Sequence, residues 1–230
     1  MINAKHMQGV AAGRASTYAV LAALFAAPPS KEMSAMVCIG DFSPAGNEAV
    51  RAAALTLVAC FRRVALDELP QNDLVAEHTR LFSLPSGVIP HESFYVDENR
   101  RIGGHVTVEV QRCYDDAAAT LTSACRELPD HIGVELEFMQ FLCDIEQQFW
   151  AEPNAQGLQR CVEFQNGFLT EHLLRWHRAL CEKILDETSL DIYRALATLT
   201  TEFLEAERAF VPELAQGIQA EWRTPCAAES

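Results

Sequence analysis

The sequence predicts an all-α protein built as a helical bundle, and two observations lead to this prediction. Apolar residues recur at helical spacing along the whole chain, and strict apolar/polar alternation never continues long enough to indicate a sheet. Hydrophobic residues make up 49% of the 230 positions, which is enough to fill a buried core. We therefore expect one all-helical domain over residues 1–230, or two closely packed helical halves.

The first predicted helix contains the apolar run at residues 18–27. This run has the length and the small-residue ending of a secretory signal, and Lys5 and Arg14 precede it. We favour a core helix, because the positive charge is sparse and because Pro28 and Pro29 end the run. The run is also too short to span a bilayer. The expected buried face consists of Tyr18, Leu21, Leu24 and Phe25.

The next helices are predicted from stripes of apolar residues. One stripe consists of Val50, Ala54, Leu57, Phe61 and Val64, and another begins with Leu74, His78 and Leu81. Between Ser83 and His105, two prolines and several glycines exclude a long helix. Long loops in compact domains are often functional, so we expect a functional loop over 83–105.

The second half of the chain predicts three long helices. The first begins at Pro129 and Asp130, where Asp130 is expected to be the N-cap, and ends near Glu152, just before Pro153. Its predicted buried side carries Ile132, Leu136, Met139 and Cys143. The other two helices carry Leu169, Leu173, Trp176 and Leu180, and then Ile192, Leu196, Leu199 and Phe203. The tail after Trp222 is expected to be loose.

Composition excludes several classes of function. The net charge of −14 disfavours nucleic acids and anionic membranes as partners and favours a basic one. The eight cysteines form no CxxC pair, which favours scattered thiols in a reducing cytosol over disulfides or a zinc site. The usual motifs of zinc proteases, serine hydrolases and nucleotide-binding loops are missing. His172 and His177 are five residues apart, so we expect structural or solvent-facing roles for them rather than metal ligation.

Two segments place polar and aromatic residues close together and are the candidate binding site. The first contains His91, Glu92, Ser93 and Tyr95, and the second contains Asp130 and His131. A histidine beside a capping aspartate at a helix start is expected to be partly exposed and to exchange protons near neutral pH. Such a pair would suit recognition of a peptide, although an ordinary N-cap beside a surface histidine is an equal alternative.

Five motifs, in order and with similar gaps, resemble the TorD/DmsD family of redox-enzyme maturation chaperones. They are ExxRLF at 77–82, PxxSxY at 90–95, LPDHIxxELxFM at 128–139, FLxxHLxxW at 168–176 and YRALA at 193–197, followed by Phe203 and Leu204. The similar region extends from about Arg14 to about Glu207. Many relatives have an aromatic residue at the position of His91 and a tyrosine at that of His78, so this chain departs from the pattern there.

The resemblance implies an all-helical cytoplasmic chaperone without catalytic activity and without a cofactor. Its expected partner is the twin-arginine signal peptide of a DMSO-reductase-type molybdoenzyme precursor, held until the cofactor is inserted. The binding surface would comprise His91, Glu92, Ser93, Tyr95, Asp130 and His131. A monomer and a helix-swapped dimer are both compatible with the family.

Alternative functions also follow from the sequence. A chaperone of the NarJ-like branch would serve a nitrate reductase instead. A helical hydrolase or nucleotide-binding protein would use the polar residues between Ser83 and His131. A scaffold subunit would remain in the finished enzyme.

A twin-arginine leader is basic at one end and apolar beyond, so its receptor needs carboxylates beside a hydrophobic groove. The expected carboxylates are Glu92, Asp97, Glu98 and Asp130. The expected groove residues are Phe94, Tyr95, Ile132 and Leu136, although for each of these apolar residues taken singly a position in the core is the favoured alternative.

Overall fold

The helices of this protein account for most of the chain. The computed structural model describes residues 2–40, 42, 44–122 and 125–222. The described residues form ten α-helices, one short π-helical segment and no β-strand, which confirms the predicted all-α class. The helices are α1 (Ala4–Ala26), α2 (Lys31–Ile39), α3 (Glu48–Ala65), α4 (Gln71–Phe82), α5 (Glu92–Val96), α6 (His105–Asp116), α7 (Ile132–Ala151), α8 (Ala155–Phe168), α9 (Leu174–Glu187) and α10 (Asp191–Trp222). The predictions for the tail after Trp222 and for Cys226 concern residues outside these ranges.

Helix α1 is a core helix that packs along α7. Asn3 caps its start by accepting a hydrogen bond from the backbone N–H of His6. The predicted face is buried, since Tyr18, Leu21, Leu24 and Phe25 are each no more than 1% exposed. By length and composition α1 is the one described helix that could cross a membrane, but 56% of its apolar window is buried inside the protein. A buried core helix accounts for this composition.

The apolar stripes predicted from the sequence are confirmed as buried faces. The stripe from Val50 to Val64 lies on α3, which packs against α2 and α10. Leu74, His78 and Leu81 are buried on α4, and the stripe from Ile192 to Phe203 is buried on α10. Together with α1 and α7 these faces form one hydrophobic core.

Helix α7 begins one residue later than its predicted cap implies. His131 is the N-cap, and its Nδ1 accepts a hydrogen bond from the N–H of Gly133 at 3.0 Å. The prediction that Asp130 caps this helix was therefore wrong, because the Asp130 side chain turns toward Ser93 instead. The helix ends at Ala151, as the following Pro153 predicts, and its four predicted core residues are fully buried.

Helices α8 and α9 are joined without a loop by the π-helical segment at Leu169–Leu173. Helices can contain such wider turns where one residue is inserted, frequently at functional sites. This segment carries His172, and the first turns of α9 carry Trp176 and His177, all three of which are buried. The burial of both histidines excludes the solvent-facing alternative that was expected for them.

A buried ionic cluster joins α1, α7, α8 and α10. The guanidinium of Arg14 is 1% exposed; it forms a two-point contact with Glu207 and donates to Glu146 at 2.6 Å and to Gln165 at 2.6 Å. The hydroxyl of Tyr18 donates to Glu207 as well, at 2.9 Å. One arginine of α1 thus contacts side chains on three helices from the second half of the protein.

Candidate functional site

The two candidate segments meet in the folded protein. We define the α5–α7 junction as residues 90–95 together with residues 128–132. Backbone hydrogen bonds join the two segments: the N–H of Glu92 donates to the carbonyl of Asp130, and the N–H of Ile132 donates to that of Pro90, each at 2.9 Å. His91 and His131 form an isolated antiparallel bridge between these bonds. The loop before α5 and the start of α7 are therefore fixed against each other.

The carboxylate of Asp130 holds the junction together. It accepts hydrogen bonds from the Ser93 hydroxyl at 2.5 Å and from the Ser93 N–H at 3.1 Å. The same hydroxyl accepts from the N–H of Gly103 at 2.9 Å, so the end of the long loop is attached too. Burial alone would raise the pKa of Asp130, but the imidazole of His91 and the donors of Ser93 outweigh it and lower the pKa to about 2.

The two histidines of the junction contact each other at an edge-to-face angle, with ring centroids 5.2 Å apart. Burial and the neighbouring His91 lower the pKa of His131 to about 3, so its ring stays neutral at physiological pH. Its side chain is only 5% exposed. The expectation that His131 is partly exposed and exchanges protons near neutral pH was therefore wrong, because the ring is enclosed where α5 and α7 meet.

Glu92 is fully buried and belongs to a second polar cluster beneath the junction. Its Oε2 lies 2.9 Å from Nδ1 of His172, and its Oε1 lies 3.8 Å from the guanidinium of Arg175. The carboxyl of Glu135 lies beside it and accepts a hydrogen bond from the indole N–H of Trp176 at 3.2 Å. Burial, and then the charge of Glu92, raise the pKa of Glu135, which favours a neutral carboxylic acid there.

The predicted groove residues divide between the core and the surface. Ile132 and Leu136 are fully buried core residues, which is the favoured alternative for each of them, and they form no peptide-facing surface. Phe94 and Tyr95 remain partly exposed, and the Tyr95 ring lies against Trp176 at 5.4 Å between centroids.

Of the four predicted carboxylates, two are buried and two lie at the surface. Glu92 and Asp130 are enclosed and already hydrogen-bonded, so their side chains are not available to capture arginine in this structure. Asp97 is partly exposed and Glu98 is exposed. Binding of a peptide's arginines near the α5–α7 junction therefore depends on carboxylates at the surface.

An apolar groove lies next to the junction, between α7 and the connection that follows α6. Its volume is about 370 Å³, and Phe138, Phe141, Val134, Leu121 and Glu137 are among the residues that line it. Tyr114 joins the groove to the junction, because it lines the groove and donates through its hydroxyl to the carbonyl of Pro129 at 2.8 Å. We call this feature the α7 groove.

Glu137 and Phe141 were not among the site residues predicted from the sequence. Both lie off the buried stripe of α7, and an exposed aromatic residue on an otherwise polar face is the signal that would have indicated them. Phe141 is 36% exposed, and burial beside the groove raises the pKa of Glu137. The groove therefore combines an aromatic surface with a carboxyl group.

The described residues contain no group of three or more histidine, cysteine or carboxylate side chains placed to hold a metal ion. The seven cysteines among them are free thiols: four are buried, and Cys38, Cys113 and Cys125 are partly exposed.

Comparison with known proteins gives consistent matches. The model of the family described as nitrate reductase delta subunit matches residues 43–182. The chaperone protein TorD of Vibrio cholerae serotype O1 is 25% identical over 162 residues, covering 70% of this chain and 72% of the relative. TorD of Vibrio parahaemolyticus is 23% identical over 167 residues, covering 72% of this chain and 76% of the relative. The selenate reductase assembly chaperone protein of Thauera selenatis is 28% identical over 149 residues, covering 64% of this chain and 75% of the relative.

Proposed function

Because this chain belongs to the nitrate reductase delta subunit family, we propose that it is a cytoplasmic chaperone for the maturation of a molybdenum-containing redox enzyme. Its relatives are named as chaperones and not as enzymes, so it is not an enzyme. At the finer level, its partner is the twin-arginine signal peptide of a DMSO-reductase-type precursor, bound before export. The protein acts as a monomer or as a helix-swapped dimer.

The α7 groove is the observation that best supports peptide binding. An apolar leader segment needs an open surface lined by aromatic and aliphatic side chains, and Phe138, Phe141 and Leu121 line such a surface. Arginines need carboxylates nearby, and Glu137 lines the groove while Glu127 is exposed on the connection that forms its other wall. The chain as a whole is acidic, with a net charge of −14, which favours a basic partner.

The six residues expected at the binding surface take two different roles in this proposal. His91 and Tyr95 keep exposed surface and contact the peptide directly. The side chains of Glu92, Ser93, Asp130 and His131 are at most 5% exposed, so they act by positioning the junction. The junction in turn fixes the first turn of α7 and Tyr114, which border the groove.

The nitrate reductase named in the family description makes a chaperone of that enzyme the second candidate. The two candidate functions differ in the enzyme precursor that is bound and not in the way in which the chaperone binds it. A pull-down from the native cytoplasm, with identification of the retained precursor, separates them.

Titration of a fluorescent peptide with two adjacent arginines followed by an apolar run tests the proposed site. We expect Phe141→Ala to weaken binding by about tenfold, because an aromatic side chain that becomes buried on binding contributes on the order of 1–2 kcal/mol. Glu137→Gln should weaken binding of this peptide more than binding of a peptide in which glutamine replaces both arginines.

Leu55→Ala is the matched control, since Leu55 is a large exposed residue on α3, 71% exposed. It should leave the affinity unchanged. Equal affinity of the wild type and a folded Phe141→Ala variant would exclude the α7 groove as the binding surface. Absence of any binding by the wild type would contradict the peptide-binding function itself.

A further inference from the structure

A second cleft opens on the side of the protein where α6 faces the π-helical segment and α9. Its volume is about 600 Å³, and its lining includes Glu109, Arg112, Cys113, Glu171, His172 and Arg175. Two guanidinium groups and two carboxylates therefore surround a thiol and an imidazole. None of the residues that line this cleft also lines the α7 groove.

Cys113, His172 and Glu92 form a hydrogen-bonded chain at this cleft. The sulfur of Cys113 lies 3.5 Å from Nε2 of His172, and Nδ1 of the same ring lies 2.9 Å from Oε2 of Glu92. A nucleophile, a base and a carboxylate that orients the base are the parts of an activated thiol. The π-helical turn sets the register at which His172 reaches both partners.

The hydrogen bonds of His172 favour the protonated form of its imidazole. Burial would lower the pKa of His172, but hydrogen bonds to Cys113 and Glu92 outweigh burial and raise it to about 9. A positively charged imidazole close to a cysteine is one of the surroundings in which thiols react with electrophiles.

The other cysteines have different surroundings. Cys60, Cys143, Cys161 and Cys181 are buried, and burial raises the pKa of each of their thiols. Cys38 and Cys125 are partly exposed like Cys113. Of the described cysteines, Cys113 is the one whose sulfur contacts a histidine ring. Cys38 and Cys125 therefore serve as internal controls in the same protein.

We propose that Cys113 is a modification site that undergoes reversible thiol–disulfide exchange with small disulfides carrying carboxylate and ammonium groups. The arginines at positions 112 and 175 match the carboxylates of such a molecule, and the glutamates at 109 and 171 match its ammonium group. The cleft is open, so a molecule the size of a small peptide can reach the sulfur.

The exchange conserves atoms and electrons. The Cys113 thiolate attacks one sulfur of the small disulfide, a new sulfur–sulfur bond forms, and the original disulfide bond breaks. The second half of the disulfide leaves as a thiolate and takes the proton from the His172 imidazolium. Excess small thiol reverses the reaction by the same route.

Incubation of the full-length folded protein with glutathione disulfide near neutral pH, followed by peptide mass mapping, tests this site. We expect the mixed disulfide to form at Cys113 about tenfold faster than at Cys38 or Cys125 in the same chain. This competition needs no substitution and so does not depend on whether a variant folds. Reaction at Cys38 or Cys125 as fast as at Cys113 overturns the proposal.

Substitutions separate activation of the thiol from recognition of the disulfide. His172→Gln, checked for folding by circular dichroism, should slow the exchange by about tenfold, because the imidazolium no longer stabilises the thiolate. Arg112→Gln and Arg175→Gln should slow exchange with glutathione disulfide by about threefold each, but not with neutral 2-hydroxyethyl disulfide. A folded His172→Gln variant that reacts at the wild-type rate overturns activation by His172, and equal slowing with both disulfides overturns recognition by the arginines.

Discussion

His131 is held neutral at the start of α7, and this makes the fold sensitive to acid. Its pKa is lowered to about 3 in the folded protein, while an exposed histidine in the unfolded chain has a pKa near 6.5. Between these values the unfolded chain binds a proton that the folded protein does not bind. The stability that the neutral His131 contributes is therefore fully present above pH 6.5 and is lost as the pH falls toward 3.

We expect the free energy of unfolding to fall by about 2 kcal/mol between pH 6.5 and pH 4.5 from this one site. His131→Asn should remove this component, since asparagine can still accept the Gly133 N–H as an N-cap but does not titrate. Urea unfolding at a series of pH values measures the difference between the two proteins.

His105→Asn is the control for the pH series, because the His105 side chain is 70% exposed. Its unfolding curve should follow the wild type at every pH. If the wild type and His131→Asn lose stability in parallel from pH 6.5 to pH 4.5, His131 is not held neutral by the fold.

For single residues, the sequence predicts which polar side chains belong to the candidate site but not which contacts each of them makes. The polar residues at 91–95 and at 130–131 do come together, as their predicted joint role requires. The partner of Asp130 is Ser93, 37 residues earlier, and local sequence carries no information on such a contact. The local pattern predicts a cap at Asp130, whereas the tertiary contact moves that role to His131.

At the scale of the elements, apolar periodicity predicts the helices that bury one clear stripe, whereas α2, α6 and α8 were not predicted from the sequence. The stripes of α3, α7 and α10 are all buried as expected. The π-helical segment at Leu169–Leu173 is not predictable in this way, because one wider turn barely shifts the apolar pattern. The α7 groove was missed for a related reason: it forms between α7 and an irregular connection with no periodicity of its own.

The Arg14 cluster joins elements that the sequence gives no reason to associate. Replacing Arg14 by methionine would leave the carboxylates of Glu146 and Glu207 buried without their cation. We expect a loss of about 3–5 kcal/mol in the free energy of unfolding, measured by urea titration, because an uncompensated buried charge is costly.

Two further variants test whether the loss comes from unpaired charge. Arg178→Met breaks the ion pair with Glu205, but Arg178 is 60% exposed, so a loss of no more than about 1 kcal/mol is expected. Adding Glu146→Gln and Glu207→Gln to Arg14→Met should recover part of the stability. A triple variant no more stable than Arg14→Met would instead attribute the loss to packing.

At the scale of the whole molecule, the net charge of −14 acts together with the apolar groove. An acidic surface attracts a basic peptide over a range that salt reduces to about 10 Å at 0.1 M ionic strength. Contacts inside the apolar groove are screened much less. Charge and groove should therefore contribute separately to the affinity for a twin-arginine peptide.

Raising the salt concentration from about 50 mM to about 500 mM should weaken binding of the twin-arginine peptide severalfold, as measured by fluorescence anisotropy. A peptide with glutamine in place of both arginines should bind more weakly at low salt and respond little to added salt. Phe141→Ala should lower the affinity at every salt concentration without changing the salt dependence, because it removes apolar contact from the groove and leaves the charges in place. Equal salt dependence for the two peptides would show that the acidic surface does not recognise the arginines, and the apolar groove would then have to account for the binding alone.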